Sequence, residues 1–326
     1  MPPSVTATPH DWRPAASKQM LERRAALLAR TRAFFAQRGV LEVETPILAS
    51  AAVTDVHIHS ARVDLGPGAP ALFLQTSPEY AMKRLLAAGY GDVFQICRSV
   101  RGFERGRLHN PEFTLVEWYR LGFSLERLMS EVEALVRELL GPGATRAGEH
   151  LTYRDAFLRE LRLDPLTAEP GELSRAAREA GYTVPEPPRD ELLDFLMAAC
   201  VGPKLGRGAF TFVHRYPASQ AALAQLDPRD PRVALRFELY CEGIELANGF
   251  RELVSAAEQR SRFERDVAAR RALRLPEPQI DERLLAALEA GLPECSGVAL
   301  GFDRTVMIAT GARHIDEVLA FPTDRA

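Results

Sequence analysis

The sequence predicts an α+β fold in which helices flank an antiparallel sheet. Strand-like segments outnumber the helices that lie between them, and short polar connections favour hairpins over helical crossovers. No Gly-x-x-x-x-Gly-Lys-Ser/Thr loop and no Gly-x-Gly-x-x-Gly fingerprint is present, and these loops are typical of parallel α/β sheets that bind nucleotides. A doubly wound parallel architecture is therefore disfavoured.

The N-terminal part of the chain is predicted to form a tail, a helix and a strand. Residues 1–14 are rich in Pro, Ser and Thr, which predicts a flexible tail. The apolar spacing over residues 15–38 predicts a helix that ends at Gly39. Residues 40–46 alternate like a strand until Pro46 ends it.

A short strand and a second helix come next. Residues 72–75 are predicted to form the strand. The helix is expected to begin at Ser77-Pro78-Glu79, with Ser77 as its cap, proline at the first position and Glu79 in the first turn. It is expected to end near Gly89.

An arginine-rich loop joins two apolar segments, residues 92–97 and 113–118, which are predicted to pair as strands. The loop carries the charged residues Arg98, Arg101, Glu104, Arg105, Arg107 and Glu112. Because the planar arginine fork binds phosphate or carboxylate oxygens in pairs, this arrangement predicts a cradle for a polyphosphate. The alternative is a solvated hairpin loop, which does not account for the His109-Asn-Pro-Glu interruption or for the inward-facing Glu117 and Tyr119 that follow.

The rest of the chain is predicted to surround further strands with helices. A helix is expected over residues 125–140. Residues 141–208 alternate helical pieces with Pro-rich loops and are interpreted as a helical insertion within one domain of residues 15–326. Strands are then expected over residues 209–214, 233–241, 243–248 and 296–301, and helices over residues 256–272 and 281–290 and from Asp303 onward.

Composition places the chain among ordinary globular proteins. It has 326 residues, 46% hydrophobic and 26% charged, with a net charge of −3 that gives no global attraction to nucleic acid. Four cysteines without a Cys-x-x-Cys pair indicate neither a disulfide framework nor a zinc site. No signal-peptide pattern and no apolar run of ~20 residues is present, so no membrane association is expected and the predicted location is the cytoplasm.

Glu117 and Tyr119 have the same parity in a predicted strand and therefore face the same side of it. A charge on that side of an apolar strand costs free energy unless a cation meets it. The pair thus indicates a site for a cationic ligand. For either residue alone, a solvent-facing position remains the alternative.

Glu238 and Glu245 stand on two strand-like segments joined around Gly243. Paired carboxylates that face phosphates suit Mg²⁺, which takes few protein ligands and keeps several waters. We interpret the pair as a metal site, whereas each glutamate alone would be an exposed strand residue.

Several motifs, in order along the chain, resemble the class II aminoacyl-tRNA synthetases. Residues 39–46, 98–120 and 296–304 are similar to the three motifs of that family. Thr76-Ser-Pro-Glu79, His109-Asn-Pro-Glu-Phe113 and Glu245-Leu-Ala-Asn-Gly-Phe250 resemble its lysyl branch. The resemblance implies a class II catalytic core, an antiparallel sheet flanked by helices, that uses ATP and Mg²⁺ to activate an amino acid. It also implies a homodimer.

The resemblance assigns roles to individual residues. Arg101 and Arg304 would be catalytic, although Arg304 has two competing interpretations, a salt bridge to Asp303 or a charge at a helix end. The residues implied to bind ATP are Arg101, Glu104, Asn110, Glu245, Leu246, Gly301 and Arg304. Those implied to bind lysine are Ser77, Glu79, Glu117, Tyr119, Asn248, Phe250, Glu252 and Ala299. Glu238 and Glu245 would hold the metal ion.

No anticodon-binding domain is expected, because fewer than twenty residues precede the first predicted helix, too few for a domain. The chain is therefore most similar to the elongation factor P lysine ligases, a freestanding offshoot of the family. That similarity implies transfer of (R)-β-lysine or lysine to a lysine side chain of elongation factor P. The alternatives are a truncated lysyl-tRNA synthetase that acts on tRNA, and a non-catalytic regulatory paralogue.

Two residues depart from the pattern of the resembled families. Phe103 stands where class II synthetases have a glutamate that contacts the adenine amino group, so either Glu104 or the backbone is expected to take that role. Ala299 replaces a glycine of lysyl-tRNA synthetases. One added methyl group in a tight pocket changes substrate discrimination by ~1–3 kcal/mol, which would suit an amine on the β-carbon.

Overall fold

The computed structural model describes residues 12–141 and 148–326. Most of the predicted tail lies outside these residues. The helices are α1 (Lys18–Ala36), α2 (Glu79–Ala87), α3 (Leu125–Leu140), α4 (Tyr153–Leu161), α5 (Pro170–Glu179), α6 (Arg189–Leu196), α7 (Ala256–Ala272), α8 (Glu282–Gly291) and α9 (Phe302–Thr310). The strands are β1 (Leu41–Glu42), β2 (Leu48–Ala49), β3 (Arg62–Val63), β4 (Leu72–Leu74), β5 (Val93–Val100), β6 (Glu112–Leu121), β7 (Glu149–Thr152), β8 (Phe210–Pro217), β9 (Leu226–Asp227), β10 (Asp230–Cys241), β11 (Ile244–Arg251) and β12 (Cys295–Gly301).

A nine-stranded sheet organises the described residues. Its order is β1-β5-β6-β12-β11-β10-β8-β7, with β9 paired to β10. The predicted α+β class and the antiparallel hairpin of β5 and β6 are confirmed. The sheet is mixed, however, because β1 pairs parallel to β5 and β7 pairs parallel to β8 at its two edges. Both pairs are joined by long connections that contain helices, as parallel pairing requires.

One face of the sheet forms the main hydrophobic core. Trp118 and Val298 lie directly opposite each other on β6 and β12, and both are buried. They belong to a cluster that includes Phe35 of α1, Val132 of α3 and Val306 of α9. These three helices therefore cover that face and fix the strands as a rigid platform.

The opposite face carries a polar row that crosses five strands. In cross-strand register, the residues from β5, β6, β12, β11 and β10 are Gln95, Glu117, Ala299, Asn248 and Glu238. Directly opposed residues project to the same side of a sheet. The fold thus gathers residues more than 100 positions apart in the sequence into one line.

Helices α2 and α8 pack over one part of this polar face. Met82 and Leu86 of α2 join Leu284 and Leu288 of α8 in a second hydrophobic cluster, which also contains Tyr119. This packing brings the N-terminal turn of α2 down onto β6. The start of α2 differs from the prediction, since Pro78 occupies the cap position and makes no side-chain cap bond.

The segment interpreted as a helical insertion contains α4, α5 and α6. Their apolar faces form a separate small core with Val213 and Tyr216 of β8. The segment also contributes β7, which extends the main sheet and was not predicted. None of the helices in the two described segments is both long and apolar enough to cross a membrane.

Candidate active site

A cavity opens on the polar face between the β5–β6 loop and the ends of β11 and β12. Its wall includes all of the residues predicted to bind ATP: Arg101, Glu104, Asn110, Glu245, Leu246, Gly301 and Arg304. Phe113, Leu115 and Ile315 add apolar surface. Two arginines beside an apolar wall give a site suited to a polyanion that carries an aromatic ring.

Arg304 is held by the neighbouring strand rather than by Asp303. Its Nη1 donates to the backbone carbonyl of Glu245 at 3.0 Å and lies 3.4 Å from the Glu245 carboxylate. Asp303 instead pairs with Arg24 of α1 at 2.6 Å and accepts a hydrogen bond from the Thr114 amide at 2.8 Å. The competing interpretation of an Arg304–Asp303 salt bridge is therefore wrong.

His109 is a cavity residue that the sequence interpretation did not assign. Its Nε2 lies 2.6 Å from Nη2 of Arg304. Partial burial and the charges of Arg304 and Arg101 lower the pKa of His109 to about 4. The ring is thus neutral at physiological pH and can accept a hydrogen bond from Arg304. Its place at the start of His109-Asn-Pro-Glu-Phe113, one of the stretches that resemble the lysyl branch, was the sequence signal for it.

Arg101 and Asn110 differ in how firmly their side chains are engaged. Arg101 donates from Nε to the Thr76 carbonyl at 3.3 Å and lies over the ring of Phe113. Asn110 donates to the carbonyl of Glu112 at 2.6 Å and accepts from Thr323 at 3.1 Å. Arg101 consequently keeps N–H groups for a ligand, whereas the Asn110 amide chiefly anchors the loop to the C-terminal segment.

Phe103 points away from the cavity. Its side chain is 89% exposed, and its ring packs against that of His59 with 4.8 Å between centroids. The backbone at Phe103 has a φ of 63°, a left-handed conformation that is uncommon for a bulky residue. Glu104, by contrast, lies in the cavity wall. This arrangement favours Glu104 over Phe103 as an adenine contact, which stays a prediction.

Glu117 lies at the centre of the amino-acid region of the site. One carboxylate oxygen accepts a hydrogen bond from the Ser77 hydroxyl and the other from the Tyr119 hydroxyl, each at 2.7 Å. Burial, and next the charge of Glu79, raise the pKa of Glu117 to about 8. Burial and the neighbouring Glu79 thus disfavour the ionised form of Glu117, and a bound cation would stabilise that form.

A buried lysine that was not predicted connects two further carboxylates. Nζ of Lys83 lies 2.6 Å from Glu79 Oε1 and 2.7 Å from Glu252 Oε2. Burial raises the pKa of Glu252 to about 7 although Lys83 opposes this increase. Glu79 and Lys83 are four residues apart in α2, a spacing that in sequence looks like an ordinary surface pair.

Gly297 allows the walls of the amino-acid region to approach each other. A Cβ atom at this position would lie 2.3 Å from the ring of Tyr119 and 2.5 Å from Glu252 Oε1. Both contacts are far shorter than atoms tolerate, so a side chain here would displace them. Asn248, Phe250 and Ala299 border the same region, in register with Tyr119 or Glu117 across β12.

Glu238 and Glu245 lie on neighbouring strands, but their carboxylates have different partners. Glu238 is buried, contacts Arg236 at 2.5 Å and accepts from the Tyr240 hydroxyl at 2.7 Å. It is therefore not the exposed strand residue of the alternative interpretation. Burial and the charge of Glu238 raise the pKa of Glu245.

A metal ion would find a sparse set of ligands in this site. Within the described residues, no cluster of three or more His, Cys, Asp or Glu side chains could hold one. A Glu238–Glu245 pair fits Mg²⁺ only if phosphate oxygens and water complete the coordination. Glu245 is the more available of the two, since among the residues that the structure describes its carboxylate has only the long contact with Arg304.

Comparison with known proteins places the whole chain among relatives. The sequence profile of the family described as "tRNA synthetases class II (D, K and N)" matches residues 6–325. A protein of Vibrio cholerae is 52% identical over 98% of this chain and 100% of its own length, and one of Klebsiella pneumoniae is 52% identical over 99% and 100%. A protein of Proteus mirabilis is 52% identical over 97% and 98%. All three are named elongation factor P--(R)-beta-lysine ligase.

Proposed function

This chain belongs to the class II tRNA synthetase family (D, K and N), and we propose that it is the ligase that attaches (R)-β-lysine to elongation factor P. The names of the relatives support this activity. The main observation in support of this activity is that two sub-sites adjoin each other on one sheet. A cavity with two arginines adjoins a buried group of carboxylates, so a phosphate and a diamino acid can meet between them.

Arg101 and Arg304 would bind the triphosphate of ATP. Both guanidinium groups already lie in the cavity wall, because the Thr76 carbonyl holds Arg101 and the Glu245 carbonyl of β11 holds Arg304. Neutral His109 would keep Arg304 oriented without adding positive charge. Preorganised donors of this kind stabilise the charge that develops on phosphate oxygens in the transition state.

The carboxylates would orient the amino acid. Glu79 and Glu117 offer oxygens to its ammonium groups, and Tyr119 and Ser77 hold the Glu117 carboxylate in place. The amino-acid carboxylate would then lie toward Arg101, since Thr76, which binds Arg101, directly precedes Ser77. Fixing both reactants in this way lowers the entropic part of the barrier.

The reaction would proceed in two balanced steps. First, a carboxylate oxygen of the amino acid attacks the α-phosphorus of ATP, and pyrophosphate leaves. Second, the neutral amine of the acceptor lysine attacks the acyl carbon, the bond to AMP breaks, and the amine loses a proton. Arg101 would bind the oxygens of both the α-phosphate and the carboxylate.

The family in general uses ATP and a divalent metal ion. We propose that Glu245, with Glu238 behind it, holds Mg²⁺ in this chain. When bound, the ion would neutralise charge on the phosphate oxygens. Glu245 also contacts Arg304, so the proposed metal ligand lies beside a residue proposed to bind the triphosphate.

Intact-mass measurement tests the proposed function. Elongation factor P is incubated with this protein, ATP, Mg²⁺ and, separately, (R)-β-lysine or L-lysine. A mass gain of one lysyl unit that depends on ATP is expected, with the larger yield from (R)-β-lysine. A parallel reaction with tRNA in place of elongation factor P tests the truncated synthetase, and charged tRNA without protein modification would contradict the proposal.

Two further assignments rest on the family and on surface features. We propose a homodimer, because Leu41 of the edge strand β1 and the nearby Ile47 are 49% and 44% exposed. Size-exclusion chromatography with light scattering tests it, and a monomer at micromolar concentration would contradict it.

We also propose a cytoplasmic location, since all four cysteines are free.

A further inference from the structure

Lys83 is a buried cation for which neither the sequence interpretation nor the steps above provide a role. Its side chain is 1% exposed, and its ammonium group bridges Glu79 of α2 and Glu252, the residue that follows β11. Burial of a lysine costs several kcal/mol unless good geometry compensates. Here two carboxylates from different parts of the fold supply that compensation at 2.6 and 2.7 Å.

The charges of the amino-acid region can be counted from its residues. Among the described residues, the titratable groups that face it are Glu79, Lys83, Cys97, Glu117, Tyr119, Glu252 and Cys295. Burial, and next the charge of Glu117, raise the pKa of the Cys97 thiol, so it stays neutral near pH 7. Burial raises the pKa of both the Tyr119 hydroxyl and the Cys295 thiol, so they stay neutral near pH 7. Three carboxylates and one ammonium remain. A bound diamino acid would favour the ionised form of all three carboxylates. The region then carries two net negative charges, which match the two ammonium groups of the ligand.

Each ion pair of Lys83 uses only one of the two oxygens of its carboxylate partner. Lys83 contacts Oε1 of Glu79 and Oε2 of Glu252, which leaves the second oxygen of each carboxylate for other donors. Burial alone would lower the pKa of Lys83, but the charges of Glu252 and Glu79 outweigh burial and raise it. Lys83 therefore stays protonated and cannot compete with an acceptor lysine for the activated acyl group.

We propose that Lys83 is a built-in counter-ion that positions Glu79 and Glu252 and sets the charge of the site for an amino acid with two ammonium groups. The proposal rests on the proposed function, since it specifies how that site selects its substrate. Lys83 does not touch the reacting atoms and is a positioning residue. Its effect should therefore appear in the affinity for the diamino acid and in the pH dependence of that affinity.

The test is a charge cycle of three variants. Lys83→Met leaves three carboxylates and a nominal charge of −3, Glu252→Gln leaves −1, and the double variant restores −2. Binding of L-lysine and (R)-β-lysine is measured by calorimetry from pH 6.5 to 9.5, and ATP–pyrophosphate exchange gives KM and kcat. Lys204→Met, which breaks an exposed ion pair with Glu160, is the matched control.

In a plot of diamino-acid affinity against pH, the acid limb of Lys83→Met is expected to shift to higher pH. Without Lys83, Glu252 holds its proton to higher pH, so Lys83→Met should bind the diamino acid about tenfold more weakly at pH 7 and lose most of this defect at pH 9.5. KM should rise more than kcat falls. The double variant should bind more tightly than either single variant, because the pair acts as a unit. Lys204→Met should match the wild type at every pH.

Each contrary outcome has a defined meaning. An unchanged pH profile in Lys83→Met, or a double variant that binds more weakly than Glu252→Gln alone, overturns the proposal. If Lys83→Met does not fold, as thermal unfolding will reveal, the comparison of Glu252→Gln with the double variant decides. Absence of exchange by the wild type with every lysine isomer would instead contradict the proposed function.

Discussion

The hydroxyl of Tyr119 donates to Oε1 of Glu117 at 2.7 Å, so two residues on the same face of β6 form one unit. Both are buried, and the bond favours the ionised form of the carboxylate. We predict that Tyr119→Phe weakens selection of the amino acid, because a hydrogen bond to a buried charge is worth about 1.5–3 kcal/mol. kcat/KM for (R)-β-lysine in pyrophosphate exchange should fall about tenfold or more. Tyr90→Phe, at an exposed tyrosine, should be neutral, and equal losses in both variants would contradict the assignment.

The pKa of Glu117 predicts how stability of the ligand-free protein depends on pH. Folding raises this pKa to about 8, so between the ordinary carboxyl value and pH 8 the folded state binds a proton that the unfolded state has released. The free energy of unfolding must then decrease as pH rises through this window. We expect a lower melting temperature at pH 9 than at pH 6, and a flatter profile for Glu117→Gln. A wild-type profile that rises over this range would exclude the raised pKa.

Adjacent residues at the start of α9 are predicted to fail in different ways. Asp303→Asn leaves Arg24 buried without its partner charge, which should cost about 3–5 kcal/mol of stability. Arg304→Gln should lower exchange activity about 100-fold or more with little change in melting temperature, because it removes donors to the phosphates. Chemical denaturation and exchange kinetics on both variants check this. Similar melting temperatures for the two variants would contradict the assignment of a structural role to Asp303 and a phosphate-binding role to Arg304.

Phe103 and Glu104 should contribute unequally to ATP binding. Since the Phe103 ring lies on His59 outside the cavity, Phe103→Ala should leave the KM for ATP within about twofold of the wild type. Glu104 lies in the cavity wall, and Glu104→Gln should raise that KM about tenfold if its carboxylate accepts from the adenine amino group. Replacing ATP with an analogue that lacks the amino group should remove the difference between Glu104→Gln and the wild type.

Ala299 lies in register between Asn248 and Glu117, which places its methyl group on the polar face of the sheet. Removing that group should shift the preference between (R)-β-lysine and L-lysine by about 1–3 kcal/mol toward L-lysine. Ala299→Gly is compared with the wild type in pyrophosphate exchange. Ala247→Gly, on the adjacent strand but in the hydrophobic core, controls for the general effect of a glycine in the sheet. An unchanged preference in Ala299→Gly would refute the role.

The sequence was sufficient for features that depend on local pattern. The paired strands β5 and β6 and the helix α3 are as expected. The resemblance to class II synthetases is confirmed. These features repeat along short stretches of chain, where alternation, spacing and motif order are visible.

Features that depend on distant partners were not visible in the sequence. Lys83 resembles a surface residue until the packing of α2 on α8 buries it beside Glu252. In sequence, Asp303 looks like a partner for Arg304. In the folded protein, however, it pairs with Arg24, which α1 contributes from the other end of the chain. The parallel edges of the sheet depend on how β1 and β7 return to their neighbours. Each of these outcomes is decided by tertiary packing, on which local propensity has no influence.

The polar row from Gln95 to Glu238 constrains how this protein can change over evolutionary time. Side chains on a strand alternate between faces, so inserting or deleting one residue within β6, β11 or β12 would turn that strand's member of the polar row into the core. A change within β6 would also turn Trp118 toward the polar face. Natural variation in these strands must therefore occur by substitution at fixed length. Gains and losses of residues should be confined to connections such as the segment between α7 and α8. Alignments of distant relatives should keep the spacing from Glu117 to Tyr119 and from Glu245 to Glu252 free of gaps.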